Sequence, residues 1–105
     1  RLTIKHMSDV VYQTAQINTP AIGSGTPALA NNPSRNGWMI QNLGTNALFV
    51  RLGNGATTSL FHVVLKAGSV ADDGTGGSFS QMEGMVYTGE ISVAGTSPRF
   101  TVTEM

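Results

Sequence analysis

The sequence predicts an all-β domain built as an antiparallel β-sandwich. Thirteen glycines punctuate it at short intervals, and the runs between them are rich in Val, Ile, Thr, Phe and Tyr, which fit a pleated, half-buried surface. Size is the third observation. A chain of 105 residues feeds one hydrophobic core and not two, so residues 1–105 are expected to form a single domain.

Residues 2–6 set Leu2 and Ile4 against Thr3 and Lys5, a strand pattern. Residues 10–17 give a second strand, although a helix over 10–16 has a compatible period. Composition then changes. Residues 18–36 hold Pro20, Pro27 and Pro33 among Asn, Gly, Ser and Thr, which reads as a long Pro/Asn/Gly loop, either a plain connection or an arm lying on a neighbouring subunit. Residues 37–52 place β-formers on both sides of Gly44, so a hairpin is expected there, with Gly44 supplying a positive φ. Further strands are read at 59–66, 85–88, 91–94 and 99–103. A glycine-rich loop spans 72–78, and Gly95-Thr96-Ser97-Pro98 joins the last two strands.

In the last two strands Ile91 and Val93, and Phe100 and Val102, alternate with polar residues, which predicts one wet face. The central strands differ. Trp38 and Ile40, Leu48, Val50 and Leu52, and Phe61, Val63 and Leu65 make an unbroken apolar face suited to the interior, with Trp38 as its anchor. Their other side carries Met39 and Gln41, Phe49 and Arg51, and Leu60, His62 and Val64. Large apolar groups interleaved with Gln, Arg and His suit a subunit interface, whose centre is apolar and whose rim is polar. A second packed layer within the same domain is the competing explanation of that face.

Charge narrows the function classes. Six basic and six acidic residues cancel and lie scattered, so no basic patch exists to displace counterions from a nucleic acid or to hold a membrane surface. With charged residues at 11%, well under the roughly 25% of ordinary soluble domains, the surface repels other protein poorly. Absence of cysteine removes disulfides and thiolate metal sites. No run of about 18 apolar residues reads as a membrane-crossing helix.

The sequence carries no recognisable catalytic constellation, cofactor motif or metal-site pattern. The chain lacks a G-x-S-x-G elbow and an H-E-x-x-H pair, and its only histidines, His6 and His62, suit surface or interface positions. Asp72-Asp73-Gly74 has adjacent aspartates, not the alternate acidic positions of a calcium loop, and reads as a solvated turn. Nothing singles out Glu83 and Glu90 as a catalytic pair. The expectation is a protein that is not an enzyme and that binds other protein chains.

Residues 32–53, with Asn32-Pro33-Ser34-Arg35, the strand ending Ile40-Gln41-Asn42, the turn at Gly44 and the second strand closing on Gly53, resemble small virion structural proteins of tailed bacteriophages. Residues 95–103 add a weaker echo. This resemblance implies a jelly-roll-like β-sandwich present in many symmetric copies. It would be a capsid decoration or cement protein, located in the virion after assembly in the bacterial host cytoplasm. Its partners would be the major capsid protein or other virion proteins and further copies of itself. A tail or head-fibre component recognising a host surface is the alternative. From another class, a carbohydrate-binding module is open if Tyr12, Trp38 and Tyr87 form an exposed platform. Among the matched residues, Pro33 can stiffen the start of the strand, Arg35 can reach a carboxylate or carbonyl, and Gln41 and Asn42 can satisfy backbone groups near the turn.

Overall fold

The computed structural model of the chain describes residues 14–18 and 26–105. Eight strands are found among them: β1 (Thr14–Asn18), β2 (Thr26–Leu29), β3 (Trp38–Asn42), β4 (Leu48–Leu52), β5 (Val63–Leu65), β6 (Ser78–Gln81), β7 (Ile91–Ala94) and β8 (Phe100–Glu104). Two four-stranded sheets result, β1-β8-β3-β6 and β2-β7-β4-β5, and every strand pair is antiparallel. The pairing is nested: β1 with β8, β2 with β7, β3 with β6 and β4 with β5. The chain therefore runs as one long hairpin, doubled back after β4 and rolled into two facing sheets.

One core lies between them. Trp38 and Ile40 from β3 and Phe100 and Val102 from β8 meet Leu48 and Val50 from β4, Leu65 from β5, Ile91 and Val93 from β7, and Ala28 and Leu29 from β2. Trp38 is fully buried, sits edge-on to Phe79 of β6 at 5.7 Å, and donates its indole N–H to Gln81 Oε1 at 2.9 Å. Each such large apolar side chain contributes on the order of 1.5–3 kcal/mol by leaving water.

The expected hairpin over 37–52 does not form. β3 pairs with β8 and β6, and β4 pairs with β7 and β5, so residues 43–47 are a corner between sheets. Trp38 and Ile40 then face Leu48 and Val50 across the core, whereas a hairpin would set these apolar faces side by side. Gly44 stays outside the positive-φ region. Asn42 holds the corner: buried, it donates through Nδ2 to the carbonyls of Asn46 (2.9 Å), Leu65 (3.2 Å) and Lys66 (3.2 Å) and accepts from the Gly44 N–H at 2.9 Å.

Three other expectations change. β2 lies inside the stretch read as a loop; Pro27 is tolerated because β2 is an edge strand, where a missing N–H breaks no ladder on its open side. The strand expected at 59–66 shrinks to β5, because residues 57–60 close on themselves through reciprocal Thr57 and Leu60 backbone hydrogen bonds at 3.1 Å. Residues 85–88 form no strand, and β6 (Ser78–Gln81) arises at the end of the glycine-rich loop, where no strand was expected. Residues 14–18 resolve the ambiguity over 10–17 as strand where they overlap it, while residues 2–6 lie outside the described residues.

Both ends of the sandwich are tied by polar side chains. At one end Arg35, its side chain wholly buried, donates to Glu104 Oε2 (2.8 Å) and to the carbonyls of Tyr87 (2.8 Å), Gly89 (3.0 Å) and Ala30 (2.6 Å). At the other, the loop from β5 to β6 is fastened by Gly68 N–H to the Gly44 carbonyl, Asp72 N–H to the Leu43 carbonyl and Asn42 N–H to the Gly77 carbonyl. Gln41 Nε2 adds bonds to the Gly74 and Gly76 carbonyls at 3.3 and 3.4 Å.

Candidate functional site

The residues read as one mixed face divide between two surfaces, because β3 belongs to one sheet and β4 and β5 to the other. Met39 and Gln41 lie on the outer face of the β1-β8-β3-β6 sheet. Met39 stands opposite Ser80 and Thr103, and Gln41 opposite Ser78 and Thr101, so hydroxyl-bearing residues flank both of them on this face. Gln41 is committed to the loop carbonyls named above.

Phe49, Arg51 and Val64 lie on the outer face of the β2-β7-β4-β5 sheet. Phe49 stands between Val64 and Ala94. Residues 53–62 fold back over part of this face. Gly53 accepts from Ser92 Oγ at 2.7 Å, and that hydroxyl accepts from the Ala56 N–H at 3.0 Å. Ser92, Ala94 and Ala56 are buried as a result, so β7 lacks the wet face its alternation predicts. Phe61, expected inside, instead meets Phe49 edge-on at 5.0 Å; the turn at 57–60 breaks the alternation that would have pointed it inward. His62 anchors the return into β5, its N–H donating to the Val50 carbonyl at 2.7 Å and its Nδ1 accepting from the Leu52 N–H at 3.1 Å.

This self-covering is incomplete. Phe61 and Val64, on either side of half-buried Phe49, remain 38% and 46% exposed, and Leu60, next to Phe61 in the chain, is 50% exposed. Beside them the Arg51 Nε is buried without a hydrogen-bond partner among the described residues. The result is an apolar patch with Arg51 and His62 at its side, able to exclude water against another protein surface but holding no acid–base pair. Among the described residues no three of His, Cys, Asp and Glu come together.

The chain finds no match among protein-family models, curated proteins or solved structures.

Other exposed apolar groups escaped the sequence reading: Val70, Met82 and Met85, the last 80% exposed. All three sit in loops, where alternation gives no signal; the turn residues Glu83-Gly84 between the two methionines were the available hint. Of the rings considered as a sugar platform, Trp38 is buried and Tyr87 packs half-buried against the core, while Tyr12 lies outside the described residues.

The aspartates of the 72–78 loop are used internally. Asp72 takes a bidentate pair from Arg99, at 2.6 and 2.7 Å, and the hydrogen bonds from Arg99, aided by its charge, hold the Asp72 carboxyl below the usual carboxylate range. Asp73 accepts from the Thr75 hydroxyl and N–H and from the Val70 N–H, which lowers its carboxyl as well, the Thr75 hydroxyl most. Groups with lowered folded pKa add stability above the ordinary carboxylate range and lose it as pH falls through the folded value. The urea midpoint is therefore expected to fall as pH drops from about 5 through and below the ordinary aspartate range, and Asp72→Asn is expected to lose less over that interval, since it has already given up one such group.

Proposed function

We propose that this chain is a non-enzymatic structural subunit of a virion, a jelly-roll domain that joins other copies of itself and shell proteins through the patch of Leu60, Phe61 and Val64. The observation that carries the reading is that patch: Val64 on the outer face of one sheet and Leu60 and Phe61 in the segment folded over it, large apolar side chains left in water on a chain with no net charge to keep copies apart. The nested strand order supports the jelly roll, since a hairpin of eight strands rolled into two four-stranded sheets is that architecture, and it recurs in capsid proteins. The virion setting rests on the resemblance of residues 32–53, where Arg35 and Asn42 have the bonding roles that the matched residues suggested. A decoration or cement role fits a domain that presents a contact face and no chemistry.

Light scattering over a range of concentrations tests the contact. The unmodified chain is expected to form species larger than one subunit, and the double substitution Phe61→Ser, Val64→Ser is expected to return it to the monomer with its circular dichroism intact. Mass spectrometry of purified particles, expected to find the chain in many copies, tests the setting. A strict monomer at every concentration, combined with absence from particles, would remove the proposal. The sugar-binding reading draws no support from a buried Trp38.

A further inference from the structure

The sequence holds two Asn-Gly pairs, at 36–37 and 54–55, and one Asp-Gly pair, at 73–74. In an Asn-Gly pair the following backbone nitrogen reaches the side-chain amide carbon most easily, because glycine has no Cβ in the way. The fold treats the three pairs differently. At 36–37 both nitrogens donate to the Met105 carbonyl, from Asn36 at 2.8 Å and from Gly37 at 3.3 Å, and the Gly37 carbonyl accepts from the Met105 N–H at 2.9 Å. Gly37 is also buried, with the Gln81 carbonyl 3.1 Å and the Met82 sulfur 3.3 Å from the place a Cβ would take. At 73–74 the carboxylate is ionised and fully occupied, a poor electrophile.

At 54–55 the chain is held on both sides, through the Gly53 carbonyl and the Ala56 N–H on Ser92 Oγ, while the tip is bare. Asn54 and Gly55 are exposed. Gly55 has φ +73° with nothing within 4 Å of its Cβ position. Neither the Asn54 side chain nor the Gly55 nitrogen has a hydrogen-bond partner among the described residues.

We propose that Asn54 is a site of spontaneous deamidation and isoaspartate formation, and that the fold protects Asn36 from the same reaction. The Gly55 nitrogen gives its proton to a solvent base and bonds to Asn54 Cγ. The Cγ–Nδ2 bond breaks, ammonia leaves with a proton from solvent, and a five-membered succinimide remains. Water adds to either ring carbonyl and opens it to aspartate or isoaspartate, so one water is consumed and one ammonia released, with no change of oxidation state. The new carboxylate stands next in sequence to Gly53, whose Cβ position lies 3.0 Å from Arg51 Nε. It takes the formal charge from zero to one negative at the border of the apolar patch.

Trypsin separates the two pairs, placing Asn36 in the peptide 36–51 and Asn54, as its only asparagine, in 52–66. The folded chain, held at mildly alkaline pH and then digested, is expected to show amide-to-acid mass gain in 52–66 roughly tenfold or more faster than in 36–51, since hydrogen bonds must open at Asn36 and not at Asn54. Asn54→Gln is expected to abolish the gain in 52–66 and leave 36–51 unchanged. In urea the two peptides are expected to approach one rate. Equal rates in the folded chain, or a difference that persists in urea, would overturn the inference.

Discussion

Arg35→Ala is expected to destabilise the chain by about 3–5 kcal/mol, the cost typical of breaking a buried ion pair from one side. The Arg35 side chain is inaccessible to water and the Glu104 side chain is only 14% exposed, so the carboxylate left behind is poorly rehydrated. Glu104 would keep one partner, the Asn32 amide at 3.1 Å. The carbonyls of Ala30, Tyr87 and Gly89 would lose their donor together; these bonds are part-buried, so water can take over some of the lost acceptor contacts and the stranded Glu104 carboxylate dominates the loss. Three chain segments meet at this guanidinium: the approach to β3, the segment before β7 and the end of β8. Arg35→Lys is expected to recover only part of the loss, because an ammonium point charge cannot span acceptors that a planar fork reaches at once. Urea unfolding measures both, and a loss under about 1 kcal/mol for Arg35→Ala would mean that water replaces the network freely.

The second large effect is expected at Gly76. A Cβ there would fall on the backbone carbonyl of Asn42, and one at the neighbouring Gly77 would lie 2.7 Å from the Lys66 nitrogen. Both obstacles are backbone, so no rotamer change relieves them. Gly76→Ala is expected to cost about 3 kcal/mol or more, or to prevent folding, as overpacking against an unyielding neighbour does. Gly74→Ala is the control. Gly74 has φ +84° and open space around its Cβ position, so its substitution meets only the left-handed backbone penalty of about 1–2 kcal/mol. Equal urea midpoints for the two variants would show that the loop neck does not press on the corner at Asn42.

Alternation made the inward residues legible: Trp38, Ile40, Leu48, Val50, Ile91, Val93, Phe100 and Val102 are all core. The same alternation cannot say which sheet a strand joins. Residues 37–52 look alike as a hairpin or as a corner between sheets, and what decides is the nested pairing of β3 with β8 and β6, a long-range matter. Once β3 and β4 part, Met39 and Gln41 leave the face that holds Phe49, Arg51 and Val64. Phe61 was misplaced for a local reason, a tight turn at 57–60 inside an apolar run. β2 was hidden by Pro27, which reads as a breaker unless the strand is known to be an edge. Arg35 and Asn42 were singled out as bonding residues only through the resemblance of residues 32–53, and most of their partners come from segments distant in sequence.

The central claim is that the Leu60, Phe61 and Val64 patch is covered by another protein chain. Hydroxyl-radical footprinting of the dilute chain and of its assembled form addresses it directly. Assembly is expected to protect Leu60, Phe61 and Val64 while Met85 and Val70, exposed on loops, stay reactive. Unchanged labelling of the patch on assembly, or protection confined to Met85 and Val70, would contradict it.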